Sequence, residues 1–160
     1  MDKLCYYCFI GSNGDIQAPL KGLVIMNQCG HLIFVYGTLR SGLRLHSFIE
    51  KSRYISDATI SGELCDLGHY PALRLIDNGA VLGEVWEVDD HTLSALDQVE
   101  GYDSIRKDGL YLRCDVIATC TNSCLMIVQA YLGNMDLSRA TRIHTGKVTD
   151  YKEWINMFSR

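Results

Sequence analysis

The apolar positions of the chain fall into order only from His31 onward. HLIFVY (31–36) is an unbroken apolar, β-branched and aromatic run, the pattern of a buried strand. ATISGELCDL (58–67), YPALRLI (70–76) and AVLGEVWEV (80–88) are also β-rich and are set apart by Gly68-His69 and Asp77-Asn78-Gly79. The Asn-Gly between the last two predicts a hairpin. YLRCDVIATC (111–120) and SCLMIVQAYL (123–132) add two strands around Thr121 and Asn122.

Three stretches carry helical spacing instead. LRLHSFIEKS (43–52) sets Leu43, Leu45, Phe48 and Ile49 loosely on one face. Asp89 and Asp90 are candidate N-caps for HTLSALDQVEG, where Leu93, Leu96 and Val99 share a side and Gly101 is the stop. TDYKEWINMFSR closes the chain with Tyr151, Trp154, Ile155 and Phe158 at spacing that docks a terminal helix on a core. Five or six strands, a few short helices and no regular strand-helix-strand alternation predict an α+β domain whose mixed sheet curls toward a barrel.

Residues 1–30 follow neither period; they hold Cys5, Cys8, Cys29 and the turn-rich GSNGD. They are expected to be an extension of the domain formed by residues 31–160. Met26 lies just before the first strand, so residues 1–25 are expected to be dispensable or to reflect an upstream start.

At 160 residues and 48% hydrophobic composition, one soluble domain is the expectation. A formal charge of −4 with scattered Lys and Arg leaves no electrostatic footprint for nucleic acid or an anionic membrane. No run reaches the ~18 apolar residues of a membrane span, and no secretory h-region is present, which predicts a cytoplasmic protein. The seven cysteines include one CxxC, Cys5-x-x-Cys8, without a second CxxC or an HxxxH to complete a zinc site. Free thiols are expected, with a cysteine-based redox or metal protein as a rival class. The five histidines form no HExxH, so no metal is expected.

Two places can carry chemistry. Glu100, at the end of LDQVEGY, is either an exposed carboxylate at a helix end or one turned inward, where enclosure would raise its pKa and let it trade protons near neutrality. GTLRSG (37–42) is either an ordinary turn after a strand or a nest of backbone N–H groups that holds an anion. It is neither GxGxxG nor a phosphate-binding P-loop.

Taken in order, FVYGTLRSG, GELCDLGHYPAL, the long VLGEVWEVDDHTLSALDQVEGYDSIRKDGLYLRCDV, QAYLGN and IHTGKVTDYKEW resemble the γ-glutamylcyclotransferase-like family, including its AIG2-like and γ-glutamylamine cyclotransferase members. The combination of YGTLR with a later LDxxEGY is specific. The resemblance implies a small mixed β-barrel with flanking short helices, no cofactor, and a cavity for a γ-glutamyl group. It implies that the backbone of Tyr36, Gly37, Thr38 and Leu39 holds the glutamyl carboxylate, that Glu100 is the general acid and base, and that Tyr111 and Tyr131 line the cavity beside the Pro71-Ala72 loop. Arg40 is left either to solvent or to guiding an anionic substrate. The activity implied is release of 5-oxoproline and a free amine or amino acid from a γ-glutamyl compound. Chains of this kind resemble the enzymes acting on γ-glutamylamines or γ-glutamyl-protected intermediates more than those acting on free γ-glutamyl amino acids. The alternative is a binding module of the same fold that recognises such a ligand without turning it over.

Overall fold

A computed structural model describes residues 30–106, 108–145 and 147–158, with the side chains of 157 and 158 left aside. The expectations for residues 1–29, including the CxxC pair and the dispensable extension, and that for the Phe158 side chain lie outside the described residues.

The strands are β1 (His31–Val35), β2 (Arg53–Ser61), β3 (Glu63–Asp66), β4 (Pro71–Arg74), β5 (Ala80–Val88), β6 (Tyr111–Cys120), β7 (Leu125–Gly133) and β8 (Thr141–Ile143); the helices are α1 (Asp90–Glu100) and α2 (Tyr151–Phe158). Five strands close a barrel in the order β1-β5-β2-β6-β7, and β4-β3-β8 form a separate three-stranded sheet. The barrel pairs are antiparallel except β1 with β7, where Ile33 faces Gln129 and Phe34 faces Ala130 in parallel register. This is the α+β mixed barrel that the apolar pattern predicts.

The continuous apolar run of β1 has a direct cause: both of its faces are covered. Phe34 packs with Ala58, Val85, Val116 and Val128 in a cluster drawn from all five barrel strands. Ile33 and Val35 pack instead with Trp86, Leu93 and Leu96, which seats α1 on the barrel wall. The terminal helix docks through Tyr151, with Trp154 and Ile155 against the first cluster.

Several boundaries differ from the sequence expectation. ATISGELCDL is not one strand, because Gly62 ends the barrel segment and sends β3 into the smaller sheet. The N–H of Gly62 donates to Gly79 O at 3.1 Å, and a Cβ on Gly79 would overlap the Gly62 carbonyl, so these glycines let the two backbones touch. The Asn78-Gly79 turn therefore joins β4 and β5 across two sheets and makes no hairpin between them. β8 was not expected; its three residues carry no pattern and are held as a strand by pairing with β3. After Gly42 the chain makes three-residue turns, Leu43 N to Arg40 O, His46 N to Leu43 O and Ile49 N to His46 O, with a 3₁₀ helix only at His46–Phe48. A bond from Leu45 N to Thr38 O at 2.9 Å folds this segment back on the preceding loop, which a straight α-helix would not allow.

Arg40 faces neither solvent nor the cavity. It is 4% exposed and pairs with Asp150 Oδ1 at 2.6 Å, while its Nε lies 3.4 Å from Glu84 Oε1. Glu84 also accepts from Ser41 N at 2.9 Å, Ser41 Oγ at 2.8 Å, Trp86 Nε1 at 3.1 Å and Lys152 Nζ at 3.1 Å. The cluster ties the end of the GTLRSG loop to β5 and to the start of α2. Burial alone would raise the Glu84 carboxyl, but the donors from Ser41, Lys152 and Trp86 overrule it and hold it at about 2.

A carboxylate held below its unfolded pKa contributes stability that is fully present above about pH 4.5 and lost as pH falls through about 2. The shift corresponds to roughly 3 kcal/mol. Urea denaturation as a function of pH should show Glu84→Gln destabilised by about that amount at pH 7, with the gap to wild type closing between about pH 4.5 and 2. A gap that stays constant over that window would rule out the cluster as the source.

Candidate active site

The cavity at the end of β1 is assembled from six segments of the chain. β1 delivers Phe34 and Val35, the loop after it Tyr36, Gly37, Thr38 and Leu39, and the segment leading into β4 Tyr70 and Pro71; α1 adds Glu100 and β6 and β7 add Tyr111 and Tyr131. All seven residues expected to form the site, Tyr36, Gly37, Thr38, Leu39, Glu100, Tyr111 and Tyr131, line this one cavity. Pro71 lines it too, whereas Ala72 is fully buried in the cluster beneath. The cavity volume is about 30 Å³, and the cavity stays partly open to solvent.

Gly37 is a glycine because the loop presses on its neighbour: a Cβ there would lie 2.9 Å from Pro71 Cγ. The loop is held through its carbonyls, with Arg40 N donating to Gly37 O at 3.1 Å and Leu45 N to Thr38 O at 2.9 Å. Among the described residues, the N–H groups of Gly37, Thr38 and Leu39 have no acceptor. Successive free N–H groups beside a cavity form an anion-binding arrangement.

Glu100 is turned inward by the frame of its helix. Asp89 caps α1 by accepting from Thr92 N at 2.7 Å, and Gly101 ends it in the left-handed conformation at φ 64°. Tyr102 N then reaches back to Asp97 O at 2.8 Å. The covered stripe runs Leu93, Leu96, Asp97, Glu100, while Val99, expected on the apolar side, is 38% exposed. Among the described residues nothing hydrogen bonds or ion pairs with the Glu100 carboxylate. Loss of hydration therefore pushes it up to about 7.

The tyrosines around it stay protonated. Burial, above all, raises Tyr36, Tyr111 and Tyr131, and the nearby Glu100 charge adds to each. Their hydrogens are committed: Tyr36 donates to Tyr131 O at 2.7 Å, Tyr111 to Pro71 O at 2.8 Å and Tyr131 to Asp97 Oδ1 at 2.7 Å. Tyr111 and Tyr131 are thus left with oxygen lone pairs to offer the cavity.

Asp97, Arg113 and Gln129, which the sequence did not single out, brace the site from outside its lining. Asp97 accepts from Tyr131, and Arg113 reaches Asp97 with Nε at 3.0 Å and Nη2 at 3.2 Å, while Nη1 donates to Gln129 Oε1 at 2.7 Å. The same guanidinium lies 5.1 Å over the Tyr102 ring, whose edge meets Tyr131. Arg113 therefore grips α1 at Asp97 and the chain at Tyr102, on either side of Glu100. The signal for Asp97 was present in LDQVEGY, since a residue three positions before Glu100 shares its helix face. Among the described residues no three His, Cys, Asp or Glu side chains converge as metal ligands, and no helix is long and apolar enough to cross a membrane.

A relative from Niallia circulans, named gamma-L-glutamyl-butirosin B gamma-glutamyl cyclotransferase, is 42% identical over 86 residues, covering 52% of each chain. The chain spans between 52% and 62% of the length of the first curated relatives it matches. Among solved structures, YkqA from Bacillus subtilis is 29% identical with a TM-score of 0.63, over 82% of this chain and 43% of that one. An AIG2-like protein from Mus musculus superposes with a TM-score of 0.56 at 24% identity, over 66% of this chain and 78% of its own, which speaks for the fold alone. Residues 33–155, the barrel, the cavity and the docked start of α2, match the family described as gamma-glutamyl cyclotransferase, AIG2-like, and the chain belongs to that family.

Proposed function

We propose that the protein is an intramolecular cyclotransferase that releases 5-oxoproline and a free amine from a γ-glutamyl compound, with Glu100 as general acid and base. The observation that carries this reading is the pairing of opposites in one cavity: a desolvated carboxylate at about 7 and the unpartnered N–H groups of Gly37, Thr38 and Leu39.

The chemistry follows from what such a substrate lacks. Its α-amine must attack its own γ-carbonyl carbon, yet at neutral pH that amine is protonated and carries no free electron pair. Glu100 takes the proton, the new C–N bond closes a five-membered ring, and the tetrahedral intermediate then expels the original amide nitrogen. The ring nitrogen gives up its second ammonium proton to the departing nitrogen as that C–N bond breaks, and the proton held on Glu100 follows, so the group leaves as an ammonium and Glu100 returns to its carboxylate. A carboxyl near 7 suits both transfers, because it is close to half ionised at working pH. The loop N–H groups fix the glutamyl carboxylate, and the lone pairs of Tyr111 and Tyr131 accept from the ammonium end. Holding the chain curled supplies the orientation that ring closure needs.

Glu100 is the one charged side chain among the described residues lining the cavity. Among the described residues no cation lines the cavity to pair with a second carboxylate, which favours an amine over an amino acid as the leaving group. The Niallia circulans relative is named for gamma-L-glutamyl-butirosin B, itself a γ-glutamyl compound.

A panel of γ-glutamylamines and γ-glutamyl amino acids, assayed for 5-oxoproline, tests the reaction and its leaving group together; binding without product would make the protein a ligand-binding member of the fold. Glu100→Gln should lower turnover by about a hundred- to ten-thousandfold. In wild type, kcat/KM should fall tenfold per pH unit below about 7, where the base is protonated.

The same residue makes a stability prediction of opposite sign to that for Glu84. A raised folded-state pKa contributes stability that is fully present below about pH 4.5 and lost as pH rises through about 7. Glu100→Gln should therefore be more stable than wild type at pH 8, by up to roughly 3 kcal/mol, with no advantage near pH 4.5. Arg113 acts as a positioning residue. Arg113→Lys keeps the charge but loses the planar grip on Asp97 and Tyr102, so water should reach Glu100. The acid limb of kcat/KM should then shift below 7 and turnover at pH 8 drop about ten- to a hundredfold. A lowered melting temperature with an unmoved limb would mark Arg113 as structural only.

A further inference from the structure

At the far end of the β6–β7 hairpin from Tyr111 and Tyr131, two cysteines face each other. The ladder pairs Ala118 with Met126 and Thr119 with Leu125, so the next rung sets Cys120 opposite Cys124. That rung is closed by Cys120 N donating to Cys124 O at 2.9 Å. Thr121, Asn122 and Ser123 form the connecting loop, with Ser123 N on Cys120 O at 2.8 Å and Ser123 in the left-handed region at φ 65°. Asn122 Oδ1 accepts from Cys124 N at 3.1 Å, and Thr121 is bonded to Asp57 O through both its N–H and its hydroxyl. The tip is therefore anchored to β2, with the two cysteines at fixed positions on facing strands.

Directly opposed residues of an antiparallel pair project to the same face, with Cα atoms roughly 4.5 to 5.5 Å apart. That lies inside the span of about 4.4 to 6.8 Å that a disulfide bridges. Both side chains open onto one recess of about 380 Å³, together with Ile55, Ser56 and Met126. They differ in access: Cys120 is buried and its thiol lies 3.2 Å from Met126 Sδ, whereas Cys124 is partly exposed. We infer that Cys120 and Cys124 form a reactive dithiol that low-molecular-weight disulfides convert into a cross-strand disulfide.

The reaction balances in two exchanges. The Cys124 thiolate attacks one sulfur of the small disulfide, forming a mixed disulfide on Cys124 and releasing one small thiol. Cys120 then loses its proton and attacks the Cys124 sulfur, releasing the second thiol. The pair is oxidised by two electrons, the small disulfide is reduced by two, and an excess of dithiothreitol reverses both steps. Burial first, and the neighbouring Cys124 with it, push the Cys120 thiol up, which suits it to resolve the mixed disulfide and not to start the reaction. Among the described residues no thiol lines the Glu100 cavity, so the dithiol is separate from the site of the proposed cyclotransferase reaction.

The full chain carrying Cys114→Ser, which removes the third cysteine of the same tryptic peptide, is reduced, freed of reductant, and treated under native conditions with excess oxidised glutathione. Intact mass and non-reducing peptide mapping should show the peptide holding Cys120 and Cys124 lighter by two hydrogens and without glutathione. Adding Cys120→Ser should leave a stable glutathione adduct on Cys124, and adding Cys124→Ser should leave Cys120 unmodified. A persistent adduct with Cys120 present, a bridge from either cysteine to another, or no reaction at Cys124 in the folded protein would overturn the inference.

Discussion

The architecture depends on the parallel pairing of β1 with β7. Every other pairing between barrel strands is antiparallel, and without the two rungs Ile33 to Gln129 and Phe34 to Ala130 the sheet would have two open edges. Closure also brings together residues far apart in the chain. It lets the Tyr36 hydroxyl reach the Tyr131 carbonyl, and it sets the loop after β1 beside tyrosines of β6 and β7. The cavity is thus a consequence of closing the barrel, lined where the first strand runs out into a loop that carries a glycine.

Glu84 and Glu100 show how far environment decides what a carboxylate is for. Both are withdrawn from water. Around Glu84 the fold supplies two donors from Ser41, one from Trp86 and one from Lys152, and the group stays ionised at about 2. Around Glu100 it supplies tyrosines whose hydrogens are already engaged, and the carboxyl rises to about 7. The first arrangement stabilises the loop that bears the free N–H groups. The second costs stability at neutral pH, as an enclosed carboxylate without donors must.

Arg113 connects these levels. It comes from the barrel wall yet holds the helix at Asp97 and the following turn at Tyr102, so the orientation of Glu100 is referred back to the rigid part of the fold. Asp97 in turn fixes the Tyr131 hydroxyl, which ties the cavity wall to the same anchor. A short helix ended by a glycine would otherwise fray where Glu100 sits.

Most of each barrel strand, a cap at Asp89 or Asp90 and the Gly101 stop could be read from the chain alone, because strand runs and caps are local patterns, and the family resemblance pointed to seven of the eleven residues that line the cavity. The sequence misled wherever a residue's neighbour was distant. Val99 has apolar chemistry but points outward, whereas Asp97 and Glu100 point inward toward β6 and β7 residues. ATISGELCDL reads as one strand until the Gly62 backbone meets Gly79, and TRI is a strand only because β3 lies beside it. Arg40 looks like a surface charge until Glu84 and Asp150 surround it. Side-chain direction, ion pairing and proton affinity depend on water excluded by groups remote in the chain, and only the tertiary structure brings those groups together.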